Sequence, residues 1–309
     1  MRSKAKITTK RLIFTSLAGD TLDVLMNATV AVLTGSFVMV AGLLQGLANI
    51  VVDIMLFFGF KRSRKRSNRH HPFGYGMEMY FWAMMAGVFT FFVMAGLAIY
   101  FGVRQILNPE VLSNIYLAYI ALSVGAITNS YAFTVSYRGM MDGRPLHRFR
   151  QVFANSSQAA SKTTMVADLM GTSSALLGLI ALGIYGITGN LVFDGIGATL
   201  IGIILGVLAL VLIFDLRDLV TGRSAPVEVQ DRIRQITTSH PAVEQVLDLK
   251  TMVVGPEKLL VNIEVHIRDN LDTDAIERVM DEIKLSLRHK LPQIVHIQVE
   301  LETPNHEIR

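Results

Sequence analysis

Six stretches of this chain, residues 12–33, 37–60, 79–104, 114–137, 160–187 and 191–214, are long and mostly apolar. Each approaches or exceeds the ~20 residues a helix needs to cross hydrocarbon. Only 17% of the residues are charged, too few for an ordinary soluble domain of this length. Inside a bilayer every backbone N–H and C=O must be satisfied within the segment, so such runs can fold only as helices. Beyond Asp215 the chain turns charged and mixed. The expected fold class is therefore an α-helical membrane protein with six transmembrane helices and a small α/β C-terminal domain. Its parts are an N-terminal stretch 1–11, a six-helix transmembrane domain 12–216 and a tail 217–309. Tight turns at Thr34-Gly35-Ser36 and Thr188-Gly189-Asn190 join the first span to the second and the fifth to the sixth.

Lys and Arg are unevenly placed. Arg2, Lys4, Lys6, Lys10 and Arg11 precede the first span. Lys61, Arg62, Arg64, Lys65, Arg66 and Arg69 follow the second, and Arg138, Arg144, Arg148 and Arg150 follow the fourth. The two tight turns carry none. The positive-inside rule then places both termini and the tail in the cytoplasm or its topological equivalent. Topology accounts for these basic loops, so nucleic acid is not an expected partner. The basic N-terminus reads as the flank of an uncleaved first span. Cysteine is absent, which excludes disulfides and thiolate ligands. No nucleophile motif, phosphate loop or cofactor fingerprint is present, so neither an enzyme nor a resident cofactor is expected.

Carboxylates within the apolar runs point to function. Asp20 and Asp23 lie in the first span, Asp53 in the second and Asp168 in the fifth. An ionisable group at such depth costs at least ~2.5–3.5 kcal/mol and marks an ion or substrate path. Residues three, four, seven or eight apart share a helix face. Asp20, Asp23 and Asn27 do so, as do Gln45, Asn49 and Asp53, and Ser157, Ser161, Thr164, Asp168 and Thr172. Asp20 is nine residues past Arg11 and Asp53 eight before Lys61, which puts both roughly 12–14 Å in from the basic flank. Asp168 falls in the same layer. Carboxylates converging there would hold a cation, and oxygen ligands suit hard or borderline divalent metals. Asn, Gln, Ser and Thr in such helices also commonly bond across helix interfaces. Asp194, just inside the sixth span, reads as a cap on that helix.

The second span is followed by His71-Pro72-Phe73-Gly74-Tyr75-Gly76-Met77-Glu78. With six spans and a small tail, this signature resembles the cation diffusion facilitator family of metal transporters. The fifth and sixth spans, with Gly222-Arg223-Ser224 after them, are similar to the branch containing mitochondrial zinc exporters. The resemblance implies a homodimer that exchanges cytoplasmic divalent metal, commonly zinc or manganese, for protons. It also implies a tetrahedral transport site of two residues four apart on the second span and two on the fifth. The matching positions are Gln45 and Asn49, then Thr164 and Asp168. Asp168 alone keeps the family's carboxylate chemistry, and neutral amide and hydroxyl oxygens are weak zinc ligands.

Two readings follow. In one, the site has shifted and Asp53 and Asp20 replace lost ligands, giving an all-oxygen site suited to manganese, iron(II) or magnesium, with protons returning on Asp53 and Asp168. In the other, the chain no longer transports and serves as a regulatory or heterodimer partner subunit. The resemblance further implies that His71, with His70 beside it, can form a loop metal site, against the simpler reading of a capped loop entering the third helix at Glu78. The tail reads as helix 226–239, strands 247–254 and 258–267 about Gly255-Pro256, helix 272–291 and strand 294–303. This αββαβ order resembles the family's metallochaperone-like dimerisation domain. At the tail's metal positions the chain has Leu247, Glu264, Glu300 and Glu302, a set without imidazole.

Overall fold

The computed structural model describes residues 9–304, with side chains from residue 17 onward. Its contacts divide the chain into two compact units. The first holds the chain up to Lys61 together with Met79–Arg217; the second holds Arg62–Glu78 and the chain from Asp218 onward.

The first unit is helical. Its elements are α1 (Thr9–Thr34), α2 (Phe37–Ser63), α3 (Glu78–Phe89), a π-helical segment Thr90–Ala95, α4 (Gly96–Leu107), α5 (Ile115–Met141), the short α6 (Phe149–Asn155), α7 (Ala159–Thr188) and α8 (Val192–Val220). Six helices are long and apolar enough to cross a membrane, the third being the continuous run Glu78–Leu107. Their exposed faces carry large apolar side chains such as Phe92, Ile127, Ile180 and Val207, as lipid-facing surfaces require. The core joins Val38, Met39 and Leu44 to Ala98, Ala121, Leu182, Ile201 and Leu205. Small residues let the backbones approach. A Cβ on Gly102 would lie 2.5 Å from Thr199 N and 2.8 Å from Gly195 O. Such contacts replace the hydrophobic drive that lipid cannot supply.

Both tight turns form where expected. Gly35 and Gly189 take positive φ, 70° and 69°, and close α1 and α7 through bonds to Ala31 O and Tyr185 O. The role of Asp194 differs from the sequence expectation. It does not cap its own helix, which Asn190 starts by accepting from Val192 N at 3.0 Å. Asp194 caps α2, accepting from Ser36 Oγ at 2.5 Å, Phe37 N at 2.7 Å and Val38 N at 3.2 Å. The first residues of α2 are buried, and the helix dipole favours a carboxylate there.

The second unit contains α9 (Val227–Thr238), β1 (Val243–Gly255), β2 (Lys258–Ile267), α10 (Thr273–Lys290) and β3 (Ile294–Leu301), the expected αββαβ order. The sheet runs β1-β2-β3, with β1 and β2 antiparallel and β2 and β3 parallel. Strand β2 is central and alternates, burying Leu259, Val261, Ile263, Val265 and Ile267. Ile233 and Ile236 of α9 and Val279, Ile283 and Leu287 of α10 are buried with them. Asp272 caps α10 by accepting from Ala275 N at 2.7 Å.

Sequence order places residues 62–78 within the span-bearing part, yet they pack with this second unit. The His-Pro-Phe-Gly-Tyr-Gly signature does the packing. Phe73 meets His296 of β3 edge to face at 5.3 Å. Gly76 lies against the β1 backbone so closely that a Cβ would fall 2.3 Å from Val254 O. Asn68 Oδ1 accepts from His70 N and His71 N, Asn68 Nδ2 donates to Tyr75 Oη at 2.9 Å, and the His71 ring stacks on Tyr75 at 4.1 Å.

Candidate metal site

Helices α1, α2, α5 and α7 bring polar side chains together in the first unit. Asn49 Nδ2 donates to Asp20 Oδ1 at 3.2 Å, tying α2 to α1. Asp20 also lies near enough to Asp168 and to Asp23 for the carboxylates to act on one another electrostatically. Ser136 Oγ of α5 donates to Asp168 Oδ2 at 2.5 Å. Thr172 Oγ1 turns back onto Asp168 O at 2.9 Å, which leaves the carboxylate to its neighbours on other helices. Two bonds between helices thus lie here, Asn49 to Asp20 joining α2 to α1 and Ser136 to Asp168 joining α5 to α7, with Asp20 and Asp168 close enough to feel each other's charge. Carboxylates gathered in a low-dielectric interior require a cation or protons between them.

The helix faces follow from local packing. Gly46 lets α1 approach, since a Cβ there would meet Val24 Cγ2 at 2.8 Å and Asp23 Oδ2 at 3.4 Å. One turn earlier along α2, Gly42 faces Asn27 Oδ1 at 3.2 Å from its would-be Cβ. Glycines spaced four apart therefore seat the Asp20-Asp23-Asn27 stripe against the face of α2 adjoining Asn49. On the other side of Asn49 a small cavity is lined by Thr90, Thr163, Val166, Met170 and Leu212. Thr90 opens the π-helical segment, and π turns inside α-helices are frequent at functional sites.

Of the residues expected at the site, Asn49 bonds Asp20 across α2 and α1, while Asp168 bonds Ser136 and feels the charge of Asp20. Gln45 is 3% exposed, and its Nε2 has no hydrogen-bond partner among the described residues. Asp53 is 5% exposed, one turn beyond Asn49. Thr164 is half-buried, and its neighbour Thr163 lines the cavity instead. No group of three or more His, Cys, Asp or Glu side chains that could hold a metal occurs among the described residues. Any cation between these helices would therefore draw on Asn and Ser oxygens beside Asp20 and Asp168. His70 and His71 are exposed and gather no such set; the loop spends the His71 ring on Tyr75. Glu78 opens α3 and pairs with Arg62 at 3.1 Å.

Two polar positions on the fourth span escaped the sequence reading. Asn129 and Ser136 are seven apart and share the face of α5 turned to α7. The signal was present as a fourth polar stripe, but without a carboxylate it carried no obvious cost. Lys162 was also missed. It is fully buried, with Nζ 2.6 Å from Asp215 Oδ2 and 5.0 Å from the Phe153 ring centre.

Comparisons with known proteins agree with this architecture. The cation efflux transmembrane domain family matches residues 13–219, and the cytoplasmic domain of cation efflux proteins matches residues 225–302. The chain belongs to the cation efflux family, also called the cation diffusion facilitators, and is an integral, multi-pass membrane protein. Among its relatives is the mitochondrial proton-coupled zinc antiporter SLC30A9 of Xenopus laevis, 27% identical over 266 residues, 82% of this chain and 47% of that protein. Metal tolerance protein C4 of Arabidopsis thaliana is 22% identical over 234 residues, 75% of this chain and 51% of that protein. Magnetosome protein MamB of Magnetospira sp. (strain QH-2) is 23% identical over 276 residues, 88% of each chain. The chain spans about half the length of the first two. A solved nickel form of the MamM CTD covers 25% of this chain and 98% of its own at 19% identity, with a TM-score of 0.24.

Proposed function

We propose that the protein carries a divalent metal cation across a membrane in exchange for protons, exporting it from the cytoplasm as a homodimer. The Asn49 bond to Asp20 across two helices, with Asp168 of a third near enough to feel the Asp20 charge, carries this reading. Asp168 and Asp20 supply the charge, Asn49 a neutral oxygen, and Gln45, Asp53 and Thr164 lie on the same two helices within one turn. All these donors are oxygen, which favours manganese, iron(II) or magnesium over zinc, although relatives are named zinc antiporters. Protons return on the carboxylates when the cation leaves, which keeps the buried charge compensated in both states. The basic loops support cytoplasmic termini, and the match of the tail to the family's cytoplasmic domain supports a dimer.

The test is flux through the purified protein in proteoliposomes, with manganese, iron(II), zinc, cobalt and magnesium compared. Metal-driven proton movement is expected, and Asp168→Ala is expected to abolish it. Flux that survives that substitution would refute the assignment. The scarcity of charged ligands beside Asp168 favours a second reading, a partner subunit without transport of its own. It requires no flux from the homodimer and co-purification with an active transporter.

A further inference from the structure

We propose that Ser136 of α5 is an oxygen ligand of the transported cation: its hydroxyl holds Asp168 when the site is empty and turns a lone pair to the metal when it is loaded. This rests on the reading of Asp168 as the centre of the transport site. The Ser136 Oγ to Asp168 Oδ2 distance of 2.5 Å is that of a short O–H···O⁻ bond. The hydroxyl therefore occupies the carboxylate oxygen that a cation would need.

The packing of α5 on α7 holds that contact in register. A Cβ on Gly171 would fall 2.3 Å from Asn129 Oδ1, and one on Gly178 would fall 2.8 Å from Val38 Cγ1 and 2.9 Å from Leu122 Cδ2. Asn129 Nδ2 is itself fixed to Gly125 O at 2.9 Å. Glycine at both positions lets α5 sit against α7, so Ser136 cannot drift from Asp168 by sliding of the helices. A hydroxyl can, however, rotate about its Cβ–Oγ bond without any backbone movement. A dication arriving at Asp168 repels the hydroxyl hydrogen and attracts the oxygen lone pair, because a hydroxyl has both a donor and acceptor sites. Rotation then converts a competitor for the carboxylate into a hard, neutral ligand. Together with Asp20 and Asn49 this would give the cation an oxygen from each of four helices.

Three substitutions separate ligation from packing. Proteoliposome flux and calorimetric binding would be measured for Ser136→Ala, Ser136→Thr and Ser136→Cys with manganese, zinc and cadmium. Ser136→Ala is expected to raise KM for manganese about tenfold, the scale of lost supporting ligands, with a much smaller change in kcat. Ser136→Thr keeps the hydroxyl and should retain wild-type KM. Ser136→Cys replaces a hard oxygen by soft sulfur, which selects soft metals; the cadmium-to-manganese ratio of kcat/KM should rise about tenfold. Wild-type KM and selectivity in both Ser136→Ala and Ser136→Cys, with flux lost in Asp168→Ala, would overturn the role of Ser136 and leave the transport site standing. Flux retained in Asp168→Ala, or a wild-type protein that neither binds nor moves these metals, would overturn both. Should the cysteine variant fail to fold, the contrast of alanine with threonine decides alone.

Discussion

Lys162 and Asp215 form a buried ion pair between α7 and α8, with Nζ 2.6 Å from Oδ2 and the lysine side chain fully enclosed. Phe153 of α6 covers the ammonium at 5.0 Å. The lysine lies six residues before Asp168 on the same helix, so the pair ties to α8 the end of α7 that carries Asp168. Breaking a buried ion pair by removing one partner costs about 3–5 kcal/mol. Lys162→Met should therefore lower the thermal stability of the detergent-solubilised protein by several degrees. The double variant Lys162→Met with Asp215→Leu, which removes both charges, should recover most of the loss. A single variant as stable as wild type would show that the pair contributes nothing.

Asp194 satisfies three donors at the start of α2 from a position on α8 that is fully buried. Each buried donor left without a partner costs about 1–3 kcal/mol. Asp194→Ala is expected to destabilise the protein by roughly 3 kcal/mol or more on this basis. Asp194→Asn, which keeps one acceptor oxygen, should lose less. Thermal unfolding in detergent ranks the two, and equal losses would argue against capping as the cause.

In the second unit a hydrogen bond from Lys250 Nζ, 2.8 Å from Asp248 Oδ2, holds the Asp248 carboxyl below its ordinary value of 3.8. The folded value is depressed, so the pair's contribution to stability is present above the ordinary carboxylate value and is lost as pH falls through the folded one. Both side chains are substantially exposed, and solvent keeps the contribution small. Lys250→Met should return the Asp248 titration midpoint towards 3.8, followed by carboxyl NMR. A midpoint unmoved by the substitution would assign the depression elsewhere.

The six spans, their tight turns and the order of the tail were all legible in the chain, because each depends on local composition and period. A run of 20 apolar residues has one stable fate in hydrocarbon, and alternation in 258–267 declares a strand with one buried face. Asp20, Asn49 and Asp168 were legible for a related reason: a polar group in an apolar run is costly wherever its helix packs. Ser136, the Asp194 cap on a helix 158 residues away in sequence, the Lys162–Asp215 pair and the loop 62–78 laid on the tail's sheet were not. Each depends on which helix or strand lies opposite, and that is settled by small-residue contacts such as Gly46 with Val24 and Gly171 with Asn129. The sequence by itself determined that this is a membrane protein with costly carboxylates at one depth. Only tertiary packing decided which polar side chains bond across helices, since such bonds depend on faces and registers that no single segment encodes.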